Sequence, residues 1–141
     1  MSSSLIGKTI KQMKIAEDKT AILFITDEGE FIARVDADCC SHTWVETIES
    51  PALGFPALVM SIDDLDMQKD GEDDEDGEYI QFYGSKVSTN KGDMVIDYRN
   101  SSNGYYGGDI VWPDDNQDGR FYGGVYGQNI SNEKWIDIDF E

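Results

Sequence analysis

The stretch "TAILFITDEGEFIARVD", Thr20 to Asp36, restricts the fold more than any other part of the chain. Two apolar, β-branched runs flank Asp27-Glu28-Gly29-Glu30, a connection short enough to join only antiparallel strands. In the first run Leu23 and Ile25 share one face and Ile22 and Phe24 the other. Both faces are apolar, which predicts a central strand covered on both sides.

The rest of the pattern is also β. "LIGKTIKQMKI" reads as an antiparallel strand before the hairpin, and "ALVMSI" and "EYIQFYG" follow it. In "GDMVIDYR" Met94, Ile96 and Tyr98 alternate with Val95, Asp97 and Arg99; "YYGGDIVW" and "KWIDIDF" complete the series. At least seven short strands with turn chemistry between them predict a mainly β domain, an antiparallel sandwich or partly open barrel with one short helix. The helix is expected in "HTWVETIES", with Asp38 as N-cap and Cys40, Trp44 and Ile48 stacked; the alternative is a strand with Trp44 and Ile48 inward. Residues 1–141 form one domain on this reading, with an exposed acidic loop at 63–78 and an acidic turn insertion at 113–120. Phe121-Tyr122-Gly123-Gly124 echoes Tyr105-Tyr106-Gly107-Gly108, a pattern expected at strand bends.

Charge narrows the function. Twenty-nine acidic against eleven basic residues give a formal net charge of −18. Direct nucleic-acid binding needs cations to displace phosphate counterions, and anionic membranes are disfavoured by the same argument. The complement is a basic protein surface or a bound cation, or the charge serves solubility alone. No run approaches the roughly 20 apolar residues of a membrane helix, and "MSSSLIGKTI" lacks the features of a signal peptide. A cytoplasmic protein with reduced thiols is expected.

The acids concentrate in "DDLDMQKDGEDDEDGE". Asp63, Asp64, Asp66, Asp70, Glu72, Asp73, Asp74, Glu75, Asp76 and Glu78 are the candidate partner-binding residues, with Lys69 the one cation among them. Two extended arms of this run would each span about 26 Å at roughly 3.3 Å per residue. Their net charge is then spaced roughly one per 3 Å, about half the density of duplex DNA. That permits partial mimicry of a phosphate backbone; a solvated hairpin tip is the plainer alternative. Asp114, Asn116 and Asp118 with Gly119 have the spacing of a calcium loop. The twelfth position is Val125 where a bidentate Glu is needed, so an Asx-rich turn is favoured.

"VDADCCSHTW" holds both cysteines and the single histidine. Neighbouring Cα atoms, about 3.8 Å apart, sit below the usual disulfide range, and no base or oxyanion device marks a nucleophile. Asp36, Asp38, Cys39, Cys40 and His42 do supply carboxylate, thiolate and imidazole, the ligand types of a structural zinc site. Packing of two small thiols in the core is the alternative.

The blocks "TDEGEFIARVDADCCSHTWVETIE", "GFPALVM" and "KGDMVIDYRNSSNGYYGGDIVW" resemble a family of small acidic proteins from phages and bacteria without an assigned activity. Its Asp-x-Asp-Cys-Cys element corresponds to Asp36, Asp38, Cys39 and Cys40, followed by Glu46. Its Ser-Asn-Gly-Tyr-Tyr turn corresponds to Ser102, Asn103, Gly104, Tyr105 and Tyr106. Where many members carry a histidine before the first aspartate, this chain has Arg34. The resemblance spans about Leu5 to Trp112, and the tail from Pro113 is peculiar to this chain. It implies a setting among phage accessory genes, where small acidic proteins block host defence, type II anti-CRISPR proteins among them. The expectation is therefore a non-enzymatic inhibitor in the host bacterial cytoplasm, a monomer or small homo-oligomer. Its partner would be a basic protein such as a CRISPR nuclease, with no direct contact to nucleic acid or membrane. A metal-stabilised accessory module without inhibitory role is the alternative. A carboxylate-based hydrolase is not singled out, because any two of so many acids could be nominated.

Overall fold

The computed structural model describes residues 5–37, 42–65, 72–73, 79–102, 108–112, 134–138 and 140. Its strands are β1 (Thr9–Ala16), β2 (Ala21–Thr26), β3 (Gly29–Ala37), β4 (His42–Glu49), β5 (Ala57–Leu65), β6 (Glu72–Asp73), β7 (Tyr79–Thr89), β8 (Gly92–Ser102), β9 (Gly108–Val111) and β10 (Trp135–Asp137). Every pairing between these strands is antiparallel, in the order β4-β8-β7-β5-β1-β2-β3-β9, with β10 added to β1 and β6 to β7. The path ends at β4 and β9 without closing into a barrel.

β5 meets β1 only through Thr9↔Leu58 and Ile10↔Ala57. From this narrow join the sheet folds back on itself. One core draws Ile10, Met13, Ile22, Phe24, Val35 and Ile110 from the first half and Val45, Ile62, Val87, Met94, Ile96 and Tyr98 from the second. A smaller cluster of Ala16, Ala21, Leu23 and Ile32, with Ile25 and Trp135 against it, lies on the outer face of the first half. The central strand expected at Thr20–Thr26 is thus β2, between β1 and β3 and apolar on both faces.

Residues 42–49 are β4, not a helix, and Trp44 does not face the core. Thr43, Val45 and Ile48 are the buried positions. A register shift between Val45 and Thr47 against β8 lets Val45 and Ile48, three apart, face inward together. The helix expected from Cys40, Trp44 and Ile48 at i, i+4 makes no allowance for that bulge. Asp63 and Asp64, placed in a loop by sequence, instead lie in β5, and Glu72 and Asp73 form β6. Cys39, Cys40, the 113–120 turn and the aromatic-Tyr-Gly-Gly echo lie outside the described residues, apart from Gly108.

The strand order reads the same from both ends. β1, β2 and β3 form a meander, after which β4 crosses to pair with β8. β5, β7 and β8 form a second meander, after which β9 crosses to pair with β3. Two units of four strands are therefore related by a pseudo-twofold, each lending its last strand to the other's edge. The register shift at Ile10/Gln12 recurs at Val59/Ser61. Both hairpins turn on Thr-x-x-Gly: Thr26 Oγ1 donates to the Gly29 carbonyl at 2.8 Å, and Thr89 Oγ1 to that of Gly92 at 2.6 Å. Each turn is tied to the first strand of its unit in the same way. Thr9 N–H donates to Asp27 Oδ1 at 3.0 Å, and Leu58 N–H to Asn90 Oδ1 at 2.8 Å. Asp27 N–H returns to the Thr9 carbonyl at 3.2 Å, and Asn90 N–H to that of Leu58 at 3.1 Å. Thr9 and Leu58 face each other across the β1–β5 join, so the pseudo-axis runs through that pair.

Candidate functional site

The outer face of the second half carries a cluster that alternation along β4, β7 and β8 dictates. With Thr43 and Val45 inward, His42, Trp44 and Glu46 point out. Trp44, Arg99 and Phe82 stand in one row across β4, β8 and β7. His42 stacks on Trp44 with ring centroids 5.4 Å apart, and Trp44 Nε1 donates to Glu46 Oε2 at 2.7 Å. Arg99 lies over the Phe82 ring at 4.8 Å and is held by Asp97 at 3.3 Å and Glu46 at 3.7 Å. His42 and Glu46 are exposed and the other four half-buried. Guanidinium and indole presented together on a rigid sheet are the anchor types of protein interfaces.

The acidic run grows from the same half. It leaves the sheet at the end of β5, where Asp63 stands opposite Lys86 and Asp64 opposite Ser85, both acids exposed. It returns through β6, with Glu72 opposite Ile80 and Asp73 opposite Tyr79. Asp66, Asp70, Asp74, Glu75, Asp76 and Glu78 lie outside the described residues. The acids are thus rooted on β5 and β7, and Phe82 of the aromatic row is a β7 residue.

Of the zinc-type ligands, Asp36 is a β3 residue in register with Asp109 of β9, and His42 opens β4 with its ring on Trp44. Asp38, Cys39 and Cys40 lie in the connection between the two strands, outside the described residues, as do Asp114, Asn116 and Asp118. Among the described residues no group of three or more His, Cys, Asp and Glu is arranged to hold a metal ion. Among the described residues no helix is long and apolar enough to cross a membrane.

Sequence reasoning did not find the Trp44–Arg99–Phe82 row, because both readings of residues 42–49 turned Trp44 inward. The signal was there in "HTWVE", "IQFYG" and "IDYRN": read as neighbouring strands, they set Trp44, Phe82 and Arg99 on one face by alternation.

A family model, the domain of unknown function DUF7448, matches residues 3–112. The chain belongs to that family. The DUF7448 span contains β1 to β9 and both pseudo-symmetric units, whereas β10 lies beyond it. It ends where the resemblance seen in the sequence ends, at Trp112. No curated protein and no solved structure matches the chain.

Proposed function

We propose that this DUF7448 protein is a non-enzymatic inhibitor that binds a basic, nucleic-acid-handling protein and blocks its access to DNA. Within that class, the phage setting implied by the sequence resemblance points to a CRISPR RNA-guided nuclease in the host bacterial cytoplasm. The observation that carries the reading is the charge of −18 together with its placement. Asp63 and Asp64 are displayed at the end of β5, and they open a run to Glu78 that holds ten carboxylates in all. Such a surface competes with phosphates for a cationic channel, speeds association and weakens with salt. The Trp44–Arg99–Phe82 row supplies anchors beside it.

The test is retention of purified RNA-guided nuclease and other basic DNA-processing enzymes on the immobilised protein at low salt. The expected result is capture that falls as salt rises. Capture should also fall when the acids from Asp63 to Glu78 are replaced by Asn and Gln. No capture, or capture indifferent to those replacements, overturns the reading.

A further inference from the structure

The pseudo-twofold relates two strand edges that the fold treats differently. In the first unit β1 is paired with β5 only as far as Ile10, and beyond that point its free edge is taken by β10. β10 runs antiparallel to it, Lys14 opposite Asp137 and Ala16 opposite Trp135, with Lys14 Nζ 3.5 Å from Asp137 Oδ1. One step further Glu17 N–H donates to the Lys134 carbonyl at 2.9 Å, and the two side chains pair at 3.1 Å. The occupant places a carboxylate against Lys14 and an ammonium against Glu17, with an indole over the apolar ledge between them.

The shared register shift makes Asp63, Asp64 and Leu65 of β5 the counterparts of Lys14, Ile15 and Ala16. β5 likewise leaves β1 after its first residues, and among the described residues no strand pairs with that edge at Asp63–Leu65. Its charge is inverted at that edge: where Lys14 receives Asp137, the second unit offers Asp63, with Asp64 beside it in place of Ile15. Arg34 of β3 likewise corresponds to Asp97 of β8.

We propose that the β5 edge at Asp63–Leu65 is a strand-accepting site for an extended basic segment of a partner protein, the charge-inverted counterpart of the β1 edge that β10 fills. The partner strand adds antiparallel to β5 and sets Lys or Arg against Asp63 and an apolar residue against Leu65. Backbone pairing supplies the affinity of such strand addition and the flanking charges its selectivity. This deepens the inhibitor reading, from which it takes the basic character of the partner; the edge itself stands on the sheet.

The probe is the chain's own segment 134–140 made basic, a labelled peptide carrying Asp137→Lys and Asp139→Lys. It is titrated against the full-length protein by fluorescence anisotropy. Three comparisons accompany it: the unaltered acidic peptide, the basic peptide with Ile136→Pro, and the full-length variant Asp63→Lys/Asp64→Lys, its fold checked by circular dichroism. The basic peptide is expected to bind saturably and protect β5 amides from hydrogen exchange. The unaltered and proline peptides should bind roughly tenfold more weakly or worse. The doubly reversed variant should lose the basic peptide and gain the acidic one. Equal binding of the proline peptide shows attraction to net charge alone and overturns the proposal, as does indifference to Asp63→Lys/Asp64→Lys. Strand binding with no nuclease captured removes the inhibitor reading and leaves the edge. Capture unaffected by the reversed variant removes the edge and leaves the reading.

Discussion

Thr43 donates from Oγ1 to Asn100 Oδ1 at 2.8 Å across 57 residues of chain, and Asn100 Nδ2 donates onward to Gln81 Oε1 at 3.2 Å. The three stand in register on β4, β8 and β7, so a polar row crosses the core-facing side of the second half. The next row inward is apolar and aromatic, Val45 with Tyr98 and Tyr83, the two tyrosine rings stacked at 5.3 Å. A buried amide so placed specifies which strands lie side by side, because any other register leaves it unsatisfied.

Asn100→Leu is therefore expected to cost about 1–3 kcal/mol, since it takes the acceptor from the Thr43 hydroxyl as well as removing its own bonds. Thr43→Val should cost about 1 kcal/mol. Urea denaturation of both variants and the double variant closes a cycle, with a coupling of about 0.5–3 kcal/mol expected for residues in contact. Strict additivity would show that the two side chains act independently.

The two hairpin glycines give a paired prediction. Gly29 has φ +121° and Gly92 φ +114°, backbone that an L side chain adopts only under strain. A Cβ on Gly29 meets nothing within 4 Å, whereas one on Gly92 comes within 2.9 Å of the Ala52 backbone nitrogen. Gly29→Ala should cost about 1–2 kcal/mol from strain alone, and Gly92→Ala more, by about 1–3 kcal/mol of overpacking. Equal losses in thermal or urea unfolding would mean that the Ala52 loop yields freely.

Arg34 is 1% exposed and already engaged by a partner within the protein. Its neighbours in register are Ala21 and Val111, so it shares the outer face of the first half with Ile32. Truncating a side chain of this size at a fully buried position leaves a cavity and takes away the group that its partner meets, and Arg34→Ala is expected to cost about 2–5 kcal/mol. Arg34→Lys should recover only part of this, because an ammonium lacks the planar fork of donors. Full recovery by lysine would reduce the role of Arg34 to that of a point charge.

What was legible in the sequence follows from which forces act locally. Alternation and turn chemistry exposed the strands and the double cover of β2, because Ile22, Leu23, Phe24 and Ile25 state both faces outright. The bulge in β4 was not legible, since one extra residue turns a period of two into the i, i+3 spacing of Val45 and Ile48. The pseudo-twofold left almost no trace in residue identity. Thr26 and Thr89, Gly29 and Gly92, and Asp27 against Asn90 repeat because the turn needs those groups, while the strands between them need only be apolar on one side. The Trp44–Arg99–Phe82 row joins residues up to 55 apart in number, and only the pairing of β4, β8 and β7 makes them neighbours.

β10 is the one described element outside the DUF7448 span that takes part in the sheet, and its attachment predicts an order of effects. Trp135 is half-buried against Ala16, Ala21, Leu23 and Ile32, while the nearby Lys14–Asp137 pair has its carboxylate side chain 82% exposed. Apolar cover should therefore outweigh the ion pair. Trp135→Ala is expected to cost about 1–3 kcal/mol, below the range for a fully buried tryptophan, and to change little with salt. Lys14→Ala should cost at most about 1 kcal/mol and lose that effect as salt rises. Amide exchange gives a local reading: Trp135→Ala should speed exchange along β10 and at Ala16 while leaving β7 and β8 unchanged. If Lys14→Ala proved the more damaging, or if Trp135→Ala loosened both halves equally, β10 would be held by charge or would belong to the main core rather than to the ledge on β1.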